Sequence, residues 1–160
     1  MSEETDTLDL GTVAVDVRNV LKVGDMAPTF ELATVDQKSV RLSDLRGKVV
    51  LLDFWASWCR PCVAEFPNLK KLREEFASDG KFEIVGLNLD NEIEVARGVV
   101  ERMKLPWLQG HVGDWSKSEL PAQYSVSAIP AKYLVGKDGK IVAVNPSGAD
   151  LRRVIEKALR

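Results

Sequence analysis

Cysteine and histidine are scarce in this 160-residue sequence, which has only two cysteines, Cys59 and Cys62, and one histidine, His111. A disulfide between the cysteines would close a very small loop and stabilise the fold only slightly, because loop-closure entropy grows with loop length. A zinc site normally needs four ligands, and the chain has no second cysteine pair. We therefore predict no metal site and expect the cysteine pair to serve chemistry rather than structure.

Long hydrophobic runs and an excess of charge are also missing. No segment approaches the roughly 18 to 20 uninterrupted apolar residues of a membrane span. The 22 basic and 24 acidic residues give a net charge of −2, which makes nucleic acids and anionic membranes poor partners. The start, residues 1–6, is acidic, unlike a secretory signal. We expect either a cytosolic protein or a chain without its export signal, anchor or upstream region.

The 45% hydrophobic content suits one compact domain, predicted over residues 23–160. Residues 1–22 are polar, with a faint alternation at Val13, Val15 and Val17, and are interpreted as a leader or a flexible extension with an added edge strand as the alternative. Apolar spacing and turn residues predict seven strands, at 30–35, 40–42, 49–55, 82–89, 107–112, 131–135 and 140–144. They predict helices at 63–76, 91–103, 116–124 and 151–159, with a helical turn at 43–47.

Three single residues add detail to this prediction. The segment 49–55 is apolar on both faces except at Asp53, as in a central parallel strand, so the buried carboxylate needs an explanation. Pro67 should kink the helix after Cys62, because proline lacks a backbone donor and clashes with the preceding turn. Ser116 is predicted to cap the helix over 116–124.

The two cysteines follow a buried strand and open a helix. This position gives Cys59 free backbone N–H groups and a helix dipole that favour a negative charge, so we predict Cys59 as the nucleophile. Cys62, one turn later, would resolve a mixed disulfide formed on Cys59. Arg60 adds a nearby positive charge, and Pro61 fits a first-turn position that needs no donor.

Asp53 precedes Cys59 by six residues and could point into the core behind the dithiol. Because burial raises the pKa of a carboxyl, Asp53 could exchange protons with Cys62 near neutral pH. The alternative is a strand-end aspartate that faces solvent or caps a loop. Trp55 is expected on the packed side, and Trp58 is expected to be exposed where a protein substrate docks.

The run Asp-Phe-Trp-Ala-Ser-Trp-Cys-Arg-Pro-Cys at 53–62 resembles the thioredoxin superfamily, and the resemblance extends from about residue 22 to the C-terminus. Pro67 matches a proline of that family's active-site helix. The resemblance implies an α/β thioredoxin fold, a central mixed β-sheet flanked by helices. It also implies that Pro130 is cis and that the backbone around Ile129 pairs with an extended substrate segment.

The opening at 24–30 and an insert around 92–112 resemble the TlpA/ResA-like branch. Its members are commonly exported, often membrane-tethered, and reduce partner disulfides, including those of apocytochromes c. That branch often carries Asn where this chain has Asp53. The chain also lacks the lysine that thioredoxins place near the buried carboxylate, since Gly86 takes the corresponding place.

Two other functions compete with disulfide reduction. Peroxiredoxins share the opening at 24–30, but this chain has Leu52 and Ala56 where their pattern places proline and threonine. A copper-binding chaperone of the same fold would add a histidine well after the dithiol. His111 is the sole histidine and lies before Pro130, not in that later position, so we interpret it as a loop or surface residue.

We therefore predict a thiol–disulfide oxidoreductase that reduces protein disulfides. The predicted site comprises Cys59, Cys62 and Asp53 for catalysis, with Trp58, Arg60, Pro61, Ile129 and Pro130 for substrate binding. No cofactor is expected beyond the Cys59–Cys62 disulfide itself. The expected partners are protein disulfides and an upstream dithiol electron donor, and the protein is expected to be a monomer. The resemblance favours the bacterial periplasm or cell envelope, with the cytoplasm as the alternative.

Overall fold

A computed structural model describes residues 20–160 of the chain. The predicted leader, including its valine alternation, lies outside the described residues except for positions 20–22. Its last part is tied to the domain, because the Leu21 N–H donates a 2.9 Å hydrogen bond to Ser125 Oγ.

A short antiparallel hairpin precedes the main sheet and consists of β1 (Glu31–Ala33) and β2 (Ser39–Arg41). Strand β1 is shorter than the predicted 30–35, and β2 has the predicted length but begins one residue earlier. The chain turns already at Thr34, whose hydroxyl donates to Asp36 and accepts the Lys38 N–H, and the turn needs a positive φ of 67° at Gln37. A 3₁₀ turn, Leu42–Leu45, leads into the central sheet, in agreement with the predicted helical turn.

The central sheet is mixed, with three parallel strands extended on one side by an antiparallel hairpin. Its strands are β3 (Val49–Trp55), β4 (Phe82–Asn88), β5 (Leu108–His111), β6 (Ala131–Val135) and β7 (Ile141–Val144). They lie in the order β5-β4-β3-β6-β7. Strands β3, β4 and β5 are parallel to one another, β6 pairs antiparallel with β3, and β7 pairs antiparallel with β6. The predicted mixed α/β sheet is confirmed.

The middle strand, β3, is buried at all seven positions. Its alternate side chains enter two separate apolar clusters, one on each face of the sheet. Leu51 and Trp55 lie on the face that also holds the two cysteines, and Leu52 and Phe54 lie on the other. Because side chains alternate along a strand, Asp53 points to the same face as Leu51 and Trp55.

In the described part of the chain, five α-helices accompany the sheet: α1 (Arg60–Ala64), α2 (Phe66–Phe76), α3 (Ile93–Met103), α4 (Leu120–Gln123) and α5 (Gly148–Leu159). The predicted break at Pro67 is present, because α1 and α2 are separated at Glu65 and proline stands in the first turn of α2. Among the helices within residues 20–160, none has the length and apolar character to cross a membrane.

The predicted helix over 116–124 is present only in its second half, and the predicted Ser116 cap is wrong. The N–H and hydroxyl of Ser116 both bond to Asp114 Oδ1, at 2.9 and 2.8 Å, which forms a turn instead of a cap. Helix α4 begins only at Leu120, followed by Pro121 in its first turn, and the Leu120 N–H is accepted by Ser118 Oγ.

Candidate active site

The dithiol lies where β3 ends and α1 begins. Cys59 is the N-cap residue of α1, and Cys62, in its first turn, donates its backbone N–H to Cys59 Sγ at 3.2 Å. The two cysteines form a disulfide with their Cα atoms 5.3 Å apart. Cys59 is 5% exposed and Cys62 is 1% exposed, so the N-terminal sulfur belongs to the more accessible residue.

The residues between the cysteines follow the prediction in their placement. Pro61 stands in the first turn of α1, where its missing N–H removes no helical hydrogen bond. Arg60 is exposed on the same turn. The site therefore combines a backbone N–H directed at Cys59 Sγ with a cationic side chain one residue away.

A buried carboxylate holds the loop that carries Cys59. Asp90, which follows β4, accepts the Ser57 N–H through Oδ2 at 2.9 Å and the Ser57 hydroxyl through Oδ1 at 2.7 Å. The side-chain amide of Asn88 donates to the same Oδ2 at 2.8 Å. Sequence reasoning missed Asp90, although a polar Asn-Leu-Asp end to an apolar strand was a visible signal. Asp90 joins the ends of β3 and β4 directly before the nucleophile.

His111 is not the loop or surface residue that the sequence suggested. It ends β5, is half-buried, and its Nε2 lies 2.8 Å from the backbone carbonyl of Asp90. Because a carbonyl oxygen only accepts, Nε2 carries the hydrogen in this bond. His111 thus supports the loop end next to the dithiol from the third strand.

Asp53 is the charged group buried in the middle strand, and it is 1% exposed. The interpretation as a solvent-facing strand-end aspartate is therefore wrong. Burial raises the pKa of this carboxyl to about 7, the ammonium of Lys132 opposes that rise, and the carboxylate of Glu65 adds to it. A carboxyl with this pKa can both take up and release a proton near neutral pH.

The chain does place a lysine beside the buried carboxylate, which corrects the expectation drawn from Gly86. Lys132 pairs with Asp53 across β6 and β3, and its Nζ lies 3.5 Å from Asp53 Oδ1. Gly86 pairs with Asp53 from the opposite side, on β4. The cation therefore comes from the antiparallel neighbour of β3 instead of the parallel one. In the sequence, the one indication of this ion pair was a lysine inside the otherwise apolar strand 131–135.

Lys132 also contacts the helix that follows the dithiol. Its Nζ donates to Glu65 Oε1, at the junction of α1 and α2, three residues after Cys62. Glu65 is partly exposed and Lys132 is buried. The three side chains of Asp53, Lys132 and Glu65 thus form a charged cluster that reaches from the core to the surface beside α1.

The predicted substrate-binding residues include an exposed tryptophan and a cis peptide bond. Trp58 is 63% exposed, whereas Trp55 is fully buried, as expected for each. The Ile129–Pro130 peptide bond is cis, in agreement with the expectation, and Ile129 packs against the cluster that contains both cysteines. Beside Pro130 the surface has a cavity of about 160 Å³, lined by Glu65, Pro130, Lys132, Asn145 and Pro146.

Comparison with known proteins places this site in a family. The AhpC/TSA family matches residues 23–144. The chain belongs to the AhpC/TSA family. Thiol-disulfide oxidoreductase ResA of Oceanobacillus iheyensis is 34% identical over 143 residues, which are 87% of this chain and 72% of the relative. The ResA protein of Bacillus subtilis is 37% identical over 121 residues, 76% of this chain and 65% of the relative.

Solved structures give the same result. The thioredoxin domain of a thiol-disulfide oxidoreductase from Bacteroides vulgatus is similar, with a TM-score of 0.81 and 33% identity, covering 88% of this chain and 99% of that domain. A thiol:disulfide interchange protein from Bacteroides sp. has a TM-score of 0.78 and 33% identity, and the match covers 87% of this chain and 91% of that protein. The predicted thioredoxin fold, the TlpA/ResA-like resemblance and the class of thiol–disulfide oxidoreductase are confirmed.

Proposed function

We propose that this protein reduces disulfides of other proteins, with Cys59 as the nucleophile and Cys62 as the resolving thiol. The observation that carries the proposal is the position of Cys59 as the N-cap residue of α1, where its Sγ accepts the Cys62 N–H. A hydrogen-bond donor fixed on that sulfur stabilises a thiolate, which is the form that attacks a disulfide.

In the first step the Cys59 thiolate attacks one sulfur of the substrate disulfide. A new disulfide forms between Cys59 and that sulfur, the substrate S–S bond breaks, and the other substrate sulfur leaves as a thiolate. Trp58 supports this step by offering an exposed aromatic surface next to the nucleophile. Arg60, Pro61, Ile129 and Pro130 are proposed to line the same docking face, with an extended substrate segment pairing beside the cis peptide bond.

In the second step Cys62 loses its proton and attacks the Cys59 sulfur of the mixed disulfide. The Cys59–Cys62 disulfide forms, and the second substrate sulfur leaves as a thiolate, so two electrons have passed from the dithiol to the substrate. We propose that Asp53 accepts the proton that Cys62 loses. Burial brings the pKa of Asp53 to about 7, and its side chain points to the face of the sheet that holds Cys62.

An upstream dithiol must then reduce the Cys59–Cys62 disulfide by the same exchange in reverse. No further cofactor enters either step, since both electrons stay on sulfur. The relatives named ResA support a place in the bacterial cell envelope, and protein disulfides there, including those of apocytochromes c, are the proposed substrates.

Reduction of insulin disulfides by the fully reduced protein tests the proposal. Cys59→Ser should abolish turnover, and Cys62→Ser should stop after one substrate has been captured. Substitution of Ser127, an exposed residue, by Ala serves as the matched control and should turn over normally. Multiple turnovers by Cys59→Ser would overturn the assignment of the nucleophile.

Peroxide reduction is less well supported by the site. The position three residues before Cys59 is Ala56, which has no hydroxyl for a peroxide, and the hydroxyl of the next residue, Ser57, is already bonded to Asp90. Consumption of hydrogen peroxide by the reduced protein, without a disulfide substrate, is the assay that would reveal this activity.

A further inference from the structure

A row of polar residues crosses the sheet at the level of Asp53. Lys132 on β6, Asp53 on β3, Gly86 on β4 and Gln109 on β5 are successive partners in the strand register. Residues paired in this way project to the same face of a sheet. Gln109 therefore shares the face of Asp53, and it is itself 2% exposed.

Gly86 leaves the space that the side chain of Gln109 occupies. A Cβ atom at position 86 would overlap the amide oxygen of Gln109 and would lie 2.6 Å from its Cδ and 3.0 Å from its Nε2. The Gln109 amide thus lies across β4, over the residue directly paired with Asp53. Because neighbouring strands are about 4.8 Å apart, this brings the amide to the immediate surroundings of the Asp53 carboxyl.

The orientation of that amide is fixed by Trp55. The indole Nε1 of Trp55 lies 2.9 Å from Gln109 Oε1, and both side chains are buried. An indole N–H can only donate, so the atom that faces it must be the amide oxygen. The amide nitrogen, with its two hydrogens, is left to face other groups.

A donor without a partner and an acceptor with unused hydrogen-bonding capacity therefore lie in the same part of the core. Within residues 20–160, Gln109 Nε2 has no hydrogen-bond partner, and Asp53 Oδ1 has none apart from its 3.5 Å ion pair with Lys132 Nζ. Leaving a buried amide donor unpaired is costly, and native proteins satisfy such a group by a direct bond or a bridging water. We propose that Gln109 is a positioning residue that donates a hydrogen bond to the carboxyl of Asp53 across Gly86, directly or through one water.

This bond would favour the ionised form of Asp53, the form that takes the proton from Cys62. The charged groups that act on Asp53 are Lys132 from β6, which also favours the ionised form, and Glu65 from the α1–α2 junction, which opposes it. Gln109 adds a neutral donor on the side away from Lys132. Its relevance to catalysis rests on the role proposed above for Asp53.

The test is a carbon-13 NMR titration of the Asp53 carboxyl in the oxidised protein, which requires no turnover. Gln109→Met removes the amide but keeps a long, apolar side chain, and it should move the Asp53 midpoint upward by about half a pH unit or more. Gly86→Ala leaves Gln109 in place but displaces its amide, so it should move the midpoint in the same direction. Gln123→Met, at an exposed glutamine on α4, is the matched control.

The proposal would be overturned if the Asp53 midpoint in Gln109→Met stayed at the control value. If Gln109→Met does not fold, the midpoint in Gly86→Ala decides in the same way. Its failure can be distinguished from failure of the proposed function by the Asp53→Asn protein. If Asp53→Asn reduces insulin at the normal rate while the Gln109 shift is present, the hydrogen bond exists and the catalytic role of Asp53 is wrong.

Discussion

Lys132 Nζ lies 3.5 Å from Asp53 Oδ1 in the core of the sheet, and the same ammonium reaches Glu65 near the surface. One cation is thus shared by two carboxylates of very different exposure. Because the two acidic groups carry one charge more than the lysine when both are ionised, the cluster can accept a proton without leaving a buried cation unpaired. The proton is held by Asp53, whose pKa lies at about 7.

Replacement of Lys132 should make Asp53 harder to ionise. Lys132→Met removes the positive charge that lowers the pKa of Asp53, so this pKa should rise above about 7. At neutral pH less Asp53 is then ionised, and release of substrate from the mixed disulfide should be slower. The Asp53 titration and the rate of the resolving step measure the two effects.

The controls for this variant are Lys71→Met and Glu65→Gln. Lys71 is an exposed lysine on α2, so its replacement should leave the midpoint of Asp53 where it is. Glu65→Gln removes the carboxylate that raises the pKa of Asp53 and should therefore shift the midpoint downward. A midpoint that falls in Lys132→Met would contradict the arrangement described here.

Asp53 also ties the free energy of unfolding to pH. Its pKa rises from an ordinary 3.8 to about 7 in the folded protein, so between these values the folded state binds a proton that the unfolded chain has released. The stabilisation that this bound proton gives the folded state is complete below about pH 4 and is lost as the pH rises through 7. In that range the free energy of unfolding falls by up to about 1.4 kcal/mol per pH unit.

Asp53→Asn should remove that pH dependence, because an amide does not titrate. Urea unfolding of the two proteins at about pH 5 and about pH 8 measures the difference in slope. The variant should gain stability relative to the wild-type protein as the pH rises. A constant difference between the two proteins over this range would show that the pKa of Asp53 is not raised.

Trp58 is exposed, so its replacement should affect docking and not folding. Trp58→Ala should lower kcat/KM for insulin by roughly 3- to 10-fold, as for loss of an aromatic contact at an interface. Reduction of a small aromatic disulfide, which needs no docking face, should proceed at the normal rate. Equal losses with both substrates would place Trp58 in the chemical step instead.

Asp90 should matter more for stability than the serine it binds. Asp90→Asn leaves a single acceptor oxygen for the Ser57 and Asn88 donors, and the cost of unpaired buried donors is about 2 to 3 kcal/mol. Ser57→Ala removes only the hydroxyl bond to Asp90 and should cost about 1 kcal/mol. Urea unfolding compares the two, and equal losses would argue against Asp90 as the residue that holds the loop.

The residues that the sequence alone could locate are those defined by local spacing. The apolar run at 49–55 predicted β3 to the residue, because a strand buried on both faces reads as continuous hydrophobicity. The two cysteines marked the helix start, and Pro67 marked the break at Glu65, since both signals act within one turn.

The partners of Asp53 were not predictable in this way. Lys132 follows Asp53 by 79 positions, and their contact depends on the antiparallel pairing of β6 with β3. The parallel pairing of β4 and β5 brings Gln109 over Gly86 in the same manner. Sequence spacing carries no information about these registers, so glycine at position 86 led to the expectation that the lysine is absent, and Lys132 was missed.

The most direct test of the account is capture of a substrate on Cys59. The reduced Cys62→Ser protein is mixed with a peptide that contains one disulfide, and intact mass and peptide mapping locate the adduct. The account predicts one peptide bound per protein, attached through Cys59, and no stable adduct with the wild-type protein, where Cys62 resolves it. An adduct on Cys62 in the Cys59→Ser protein, formed as fast as the Cys59 adduct, would contradict it.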